Sequence, residues 1–505
     1  MKSRLHTFYN GQALPVASVP MLPIEDFLQG IIDAVDHGWR VSSFFGAPDD
    51  DGVILYCVLS FKSGGLMGIM GSVVKETFPS ITPLCPQLHL FEREIAEQWG
   101  LVPEGHPWFK PVRFHRSYRP GSDAWGRGPE AEILPGVMDF FRVEGEEVHE
   151  VAVGPVHAGV IEPGHFRFQC HGEQVFHLEI SLGYQHRGIE AGLLGGPFPK
   201  TLFQMETVAG DTTVGHAEAH SMVIEALSGT LAPARGEAIR GIALELERLA
   251  NHTGDLGAIA GDVGYLPTAS FCGRIRGDFL NMTALLCGSR FGRGLVRPGG
   301  VGFDCGETQR DELLTRLEAA RQDLENAVQL LWDTPSVMAR LENTGKVSQE
   351  AARELGLVGP AARACGLNRD VRRDHPFGIF RMSQIPVMAS QSGDVYARTL
   401  LRWLEAEKSL DFLNEQLRQL PGGAHRNPLK SMAGGMVAAA MTEGWRGEIC
   451  HVAVTDEAGR FSRYKITDPS FHNWTGLAMA LRGEQISDFP LCNKSFNLSY
   501  CGFDL

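Results

Sequence analysis

Ten cysteines are spread through the 505 residues, yet no two stand in a C-x-x-C pair. Isolated thiols of this kind cannot build a cubane iron–sulfur cluster, and they do not suggest a disulfide framework. The expectation is reduced, mostly buried cysteines. No stretch approaches the roughly 18 apolar residues that would cross a bilayer, and Met1 to Asn10 is too polar for a secretory leader. No long basic run appears, and the formal net charge is -14. Nucleic acid is therefore excluded as the main partner. A dinucleotide glycine fingerprint is absent as well. The glycines at 299 and 300 are not followed by Gly-Lys-Ser/Thr, so they read as a tight turn rather than a phosphate loop.

What remains is an ordinary globular composition, with 43% hydrophobic and 21% charged residues. The first part reads as a small α/β module over 1–115. Apolar residues Phe27, Ile31 and Ala34 recur at helical spacing within Ile24–Val41, Val53–Phe61 reads as a strand, and Phe91–Trp99 as a short helix. Residues 116–150 are rich in Gly, Pro and Arg and read as a linker or an extended arm facing a partner. The third part, 151–505, opens with a hairpin pattern around His171-Gly-Glu173. Helical stretches follow at about Thr207–Leu227, Glu237–His252, Thr308–Leu331 and Asp394–Leu417. A second hairpin pattern flanks Asp456-Glu-Ala-Gly459. The fold class expected is α+β: a small N-terminal α/β domain, then a mainly helical bundle with peripheral hairpins. Sites in such bundles lie between facing helices.

Several motifs occur in order along the chain. Phe78-Pro-Ser80, Phe91-Glu-Arg-Glu94, Trp99-Gly100 and Gly105-His-Pro107 resemble the small partner subunit of respiratory complex I. Gly154-Pro-Val-His157, Pro163-Gly-His165 and Gly183-Tyr-Gln-His-Arg-Gly-Ile-Glu190 resemble the large subunit of complex I and of membrane-bound nickel–iron hydrogenases. So do Arg297-Pro-Gly-Gly-Val301, Arg373-Asp-His-Pro376, Gly393-Asp-Val-Tyr-Ala-Arg398, Arg446-Gly-Glu448 and Asp468-Pro-Ser-Phe471. The fused arrangement resembles the large subunit of formate hydrogenlyase and hydrogenase-4 complexes.

The resemblance implies two cysteine pairs holding nickel and iron. At the first pair this chain has Ala209 and Thr212; at the second only Cys501 is left. A methyl group and a neutral hydroxyl cannot replace thiolates on a soft metal. No nickel or other cofactor is therefore expected on this chain itself. By the same resemblance the vacated cavity, marked by Thr212 and Cys501, could take a quinone headgroup. The quinone-contacting histidine maps to His165 and the quinone-contacting tyrosine to His220. His186 and Arg187 would face a 4Fe-4S cluster held by a small iron–sulfur subunit. The further partners implied are a ferredoxin-like iron–sulfur subunit and antiporter-like membrane subunits. The chain would then sit at the cytoplasmic side of the membrane, attached through those partners, with NAD oxidised elsewhere in the complex.

Each candidate also has a plainer reading. Arg187 could form a structural ion pair with Glu190 or another carboxylate. His216 and His220, four apart on a helix with Ala209 and Thr212 upstream on the same face, could line the cavity, form half a zinc site, or simply be buried and hydrogen-bonded. Asp211 could pair with His216 or an arginine and pass protons, or be a surface-exposed or helix N-terminal carboxylate. Glu245, Glu247 and Arg248 could be a solvated face or a buried chain of charges leading toward a membrane partner. The resulting expectation is a nickel-free, hydrogenase-like subunit of a complex I-like oxidoreductase. It would pass electrons to a quinone-like or other small acceptor and couple this to ion translocation. The alternatives are a plain quinone-reducing module and a non-catalytic scaffold.

Overall fold

A computed structural model describes residues 4–157 and 161–505; of the ranges above, 1–3 and 158–160 lie outside the described residues. The chain begins with β1 (His6–Tyr9), β2 (Gln12–Pro15), α1 (Ile24–Asp36), β3 (Arg40–Asp49), β4 (Gly52–Phe61), β5 (Leu66–Val74) and α2 (His89–Trp99). Strands β1-β5-β4-β3 form an antiparallel sheet in that order. The buried residues Phe27, Ile31 and Ala34 of α1 join a core that also takes in Phe44, Leu55 and Leu59 of this sheet. α1 stops at Asp36 because Gly38, at φ 89°, turns the chain into β3. The apolar spacing alone carries that helix on to Val41.

No regular element lies between Glu104 and Val148. Strand β6 (Val148–Val153) then pairs with β7 (His165–His171), which pairs with β8 (Gln174–Ser181). The bundle follows: α3 (Thr213–Ser228), α4 (Ala234–Asp262), α5 (Leu266–Cys287), α6 (Glu307–Trp332) and α7 (Val395–Arg418). α4 packs against α5 and α7, and α6 against α5 and α7. α5 is not foreseen by the sequence pattern. Its apolar positions are interrupted by Arg274, Arg276 and Asp278, and it is held by neighbours on only part of its surface.

The final part contains β9 (Met436–Gly444), β10 (Gly447–Thr455), β11 (Phe461–Thr467), α8 (Pro469–Ala480) and α9 (Tyr500–Asp504). The hairpin expected at the periphery is central instead. Sheet β11-β10-β9-β2 recruits β2 from the N-terminal module, and every residue of β10 is buried. α3 covers one side of this sheet, while β11 meets β3 of the first sheet. One apolar core consequently runs from Phe8, Phe45 and Tyr56 through α3 and α4 to Val452 and Tyr464.

Buried ion pairs lock the two modules together. Glu190 accepts from Arg463 at 2.9 Å and from Lys465 at 3.0 Å, and Lys465 also reaches Glu94 at 2.6 Å. The Phe-Glu-Arg-Glu motif of α2 is thus a fastening. Glu92 accepts from Ser80 (2.5 Å), the Ile81 amide (2.9 Å) and Thr82 (2.7 Å). Among the described residues no helix is long and apolar enough to cross a membrane.

Candidate functional site

The expected helix 207–227 breaks before the site. A short helix, Thr201–Met205, ends, and α3 begins only at Thr213. The intervening Thr-Val-Ala-Gly-Asp-Thr run is poor in helix formers. The Glu247 carboxylate of α4 completes the stop by accepting from the amides of Val214 (2.7 Å) and Gly215 (3.2 Å), which would otherwise be orphaned at the start of α3. Ala209 and Thr212 therefore do not share a helical face with His216 and His220, contrary to what the spacing suggests. They lie in a loop that leads into the helix.

That loop meets Arg446, which leaves the tight β9–β10 connection. The guanidinium donates to both oxygens of Asp211, at 2.6 and 2.8 Å, a bidentate pair. It also donates to Thr212 Oγ1 at 3.3 Å and to the Asn497 carbonyl at 2.5 Å. Trp445 Nε1 donates to Thr212 Oγ1 and to the Asp211 carbonyl, both at 3.2 Å. Burial works against the charge on Asp211, but Arg446 holds the carboxyl below its ordinary range. Of the readings open for Asp211, the arginine pair is the one formed. Among the described residues the carboxylate makes no hydrogen bond to His216 or to the amides of the first turn of α3; its other partner is the Thr212 hydroxyl at 3.1 Å.

Cys501 stands beside the same loop, its thiol within reach of the Gly210 amide. Burial, with Glu162 adding, pushes this thiol up to about 11, so it is protonated at neutral pH. One protonated thiol, a hydroxyl and a methyl group are not a donor set for a dinuclear soft-metal centre. The nickel–iron group does not fit these residues. Among the described residues no three His, Cys, Asp or Glu side chains converge on a point that would hold a metal ion.

His216 and His220 are almost fully buried on α3. His216 Nε2 bonds Asp468 at 3.0 Å and its Nδ1 bonds His451 Nε2 at 3.0 Å. His451 Nδ1 contacts the Tyr464 hydroxyl at 3.0 Å, and His220 Nδ1 contacts the same hydroxyl at 2.9 Å. With both His216 nitrogens engaged, the half-zinc arrangement is not formed. Burial lowers His220 to about 3 and pushes His451 well down, so both rings are neutral.

Of the remaining candidates, Arg187 borders the loop, while His165 and His186 bond to other segments. His165 sits at the start of β7, with Nδ1 at 3.1 Å from the Gly154 carbonyl, Nε2 accepting from Arg167 at 3.2 Å, and the Phe140 ring 5.1 Å away. It shares no hydrogen bond with His216, His220 or Asp211. Arg187 does not pair with Glu190, which is taken by Arg463 and Lys465. Its exposed guanidinium bridges the carbonyls of Thr207 (2.6 Å), Val208 (3.0 Å) and Cys501 (3.0 Å). His186 stacks on His115 at 4.6 Å and bonds the Asp504 carbonyl at 2.8 Å.

Glu245 and Arg248 are fully buried, which overturns the solvated-face reading for them. Glu245 pairs with Arg372 at 2.9 Å and Arg248 at 3.1 Å. The network continues through Asp370, Arg363, Glu405 and Glu443.

Arg446 and Asp468 stand within motifs legible in the sequence, but no role in the site follows from those motifs. His451 and Tyr464 escape sequence reasoning altogether. Each lies on a strand, 235 and 244 positions away from its partner on α3, and no local pattern marks that meeting.

Fold and site define a chain in which an N-terminal α/β module is joined to a helical bundle, with the Asp211–Arg446 ion pair at the loop that leads into α3. Both parts match family models. The respiratory-chain NADH dehydrogenase 49 Kd subunit model covers residues 262–434 and 430–504, and the 30 Kd subunit model covers 26–121. Hydrogenase-4 component G of Escherichia coli is 30% identical over 435 residues, 84% of this chain and 75% of that protein. Formate hydrogenlyase subunit 5 of the same organism is 29% identical, covering 88% and 81%. NADH-quinone oxidoreductase subunit 4 of Thermus thermophilus is 28% identical, covering 68% and 90%. The chain belongs to the group 4 hydrogenase and complex I large-subunit family.

Proposed function

We propose that this chain is a nickel-free large subunit of a membrane-associated, complex I-like oxidoreductase assembly. It takes electrons from an iron–sulfur partner subunit, delivers them to a quinone-like or other small redox acceptor, and couples the transfer to ion translocation. The observation that carries this reading is the Asp211–Arg446 pair, seated between the two former ligand positions at Ala209 and Thr212. The loop has exchanged a soft-metal donor set for a charge pair whose strength depends on nearby charge and protonation. Such a pair responds to a reduction event without binding metal. The names of the relatives, hydrogenases on one side and NADH-quinone oxidoreductases on the other, support a redox complex with partner subunits. The exposed Arg187, fixed across the loop and the C-terminal helix, supplies a positive charge where an iron–sulfur partner would dock.

Metal analysis of the purified complex tests the reading. Iron from the partner's clusters is expected, with nickel absent; nickel at one equivalent per chain would sink it. In the same preparation, loss of electron transfer to a soluble quinone analogue on Asp211→Asn, with the complex still assembled, is the expected result. Unchanged transfer would favour the scaffold instead.

A further inference from the structure

His220, Tyr464, His451, His216 and Asp468 come from α3, β11, β10, α3 again and the cap of α8. They join end to end at 2.9, 3.0, 3.0 and 3.0 Å. All five are at most 2% exposed. Their donors and acceptors can be counted. Neutral imidazole has one N–H and one bare nitrogen, and the tyrosine hydroxyl has one proton. Taking Asp468 as the anion, every hydrogen bond is satisfied in a single way. His216 donates Nε2–H to Asp468, His451 donates Nε2–H to His216 Nδ1, Tyr464 donates to His451 Nδ1, and His220 donates Nδ1–H to the Tyr464 oxygen. His220 Nε2 is left bare and finds no protein partner among the described residues.

There is one other fully satisfied arrangement with neutral rings, and it is the mirror of the first. If a proton from water binds His220 Nε2, four hops follow. The His220 Nδ1 proton passes to Tyr464, the Tyr464 proton to His451 Nδ1, the His451 Nε2 proton to His216 Nδ1, and the His216 Nε2 proton to Asp468. One proton has entered and one rests on the carboxyl. Each ring has changed tautomer, and none is charged at either end.

We propose that these five residues form a proton wire with two hydrogen-bond polarities, carrying a proton between His220 and Asp468 beside the Asp211–Arg446 pair. The two ends differ in what surrounds them. Asp468 faces His216, Arg446, the Ser470 amide (2.8 Å) and, farther off, Asp211 and His472. His451 faces His216, His220 and Glu190, and Tyr464 faces Cys450. Burial opposes the charge on Asp468, yet the His216 bond and Arg446 hold the carboxyl below its ordinary range. At rest the wire is therefore polarised toward an ionised Asp468. Any event that draws Arg446 away, a change at Asp211 included, calls a proton down it. Gly502 is packed against this carboxylate so closely that an added Cβ would stand 2.7 Å from Asp468 Cγ, which fixes the acceptor in place. The use of the wire during electron transfer rests on the functional reading above; its two-state hydrogen-bond pattern does not.

The test is magic-angle-spinning NMR on the full chain labelled with 15N-histidine and 13C-aspartate, titrated downward from pH 8. At the start His220 should be the Nδ1–H tautomer, with His451 and His216 as Nε2–H. All three should exchange tautomer at the one midpoint where the Asp468 carboxyl signal shifts. Arg446→Gln should move that common midpoint to higher pH, within reach of the folded range. With Tyr464→Phe, His451 and His216 should still follow Asp468 while His220 no longer does. A His220 tautomer unmoved across the Asp468 midpoint, or separate midpoints for the three rings, would overturn the wire. So would a His220 response that survives Tyr464→Phe. No acceptor or metal is present in this measurement. The wire can fail while the redox reading stands, and nickel in the complex would sink the reading while leaving the wire intact.

Discussion

Gly359 lies against the backbone of Arg446 with no room for a side chain. A Cβ on Gly359 would collide with the Arg446 carbonyl oxygen and stand 2.5 Å from the Gly447 Cα, and Gly359 itself sits at φ 65°. The start of the short helix Gly359–Ala364 and the β9–β10 connection are thus one interlocked contact, and it sets where the guanidinium emerges. Gly359→Ala should cost about 1–3 kcal/mol for the backbone strain alone, and it should loosen the Asp211–Arg446 pair. Thermal unfolding of the full chain measures the cost. A melting temperature equal to the parent's would show that the contact yields freely.

Asp211→Asn should destabilise the chain by about 3 kcal/mol, because the Arg446 guanidinium, 4% exposed, loses its carboxylate. Arg446→Lys should fail to restore stability with Asp211 present, since an ammonium cannot make the two-pronged contact. Denaturant unfolding of both variants decides this. A Lys variant as stable as the parent would mean that the fork geometry is unimportant.

Glu218 provides a pH test. Its carboxyl is buried on α3 with Oε2 unpartnered among the described residues. Burial, with Glu237, Glu225 and Glu247 adding and Arg240 opposing, pushes it up to about 8. The folded chain thus keeps a proton that the unfolded chain releases above its ordinary value of about 4.3. The sign follows: this group's contribution to stability falls as pH rises from about 4 to 8, then levels off. Glu218→Gln should flatten that part of the profile and gain on the order of several kcal/mol over the parent at pH 9. At pH 4 the two should be nearly equal. Parallel unfolding profiles for parent and variant would contradict the assignment.

Arg187→Ala should free three carbonyls, those of Thr207, Val208 and Cys501. The exposed position limits the global cost to about 1 kcal/mol, but the short helix Tyr500–Asp504 should open more often. Amide hydrogen exchange over residues 501–505 should quicken while β10 stays protected. Unchanged exchange at the C-terminus would show that the bridge is not what holds it.

Much of the fold was legible because periodicity is local. Val53–Phe61, the two hairpin turns, and the helices near 237–252, 308–331 and 394–417 appear where their apolar spacing places them. Two misreadings share one cause. The hairpin 449–466 looks peripheral because His451, Arg463 and Lys465 break its apolar pattern, yet those polar residues are buried against partners from α3, Glu190 and Glu94. The helix 207–227 looks continuous because Glu247, the residue that caps α3 at Thr213, lies on a different helix. Tertiary contacts overrode local propensity in both cases.

The residues 209 to 212, the lone Cys501 and the ordered motifs were enough to fix the family and to remove the thiolate ligands, because ligand chemistry is a property of side-chain type. Only the tertiary structure decided what stands there instead. Asp211 and Arg446 are 235 residues apart, and His216 reaches Asp468 and His451 across still larger or equal separations. Such meetings depend on the β2-bearing sheet being driven against α3, and that is a consequence of burying one shared apolar core rather than of any pattern along the chain.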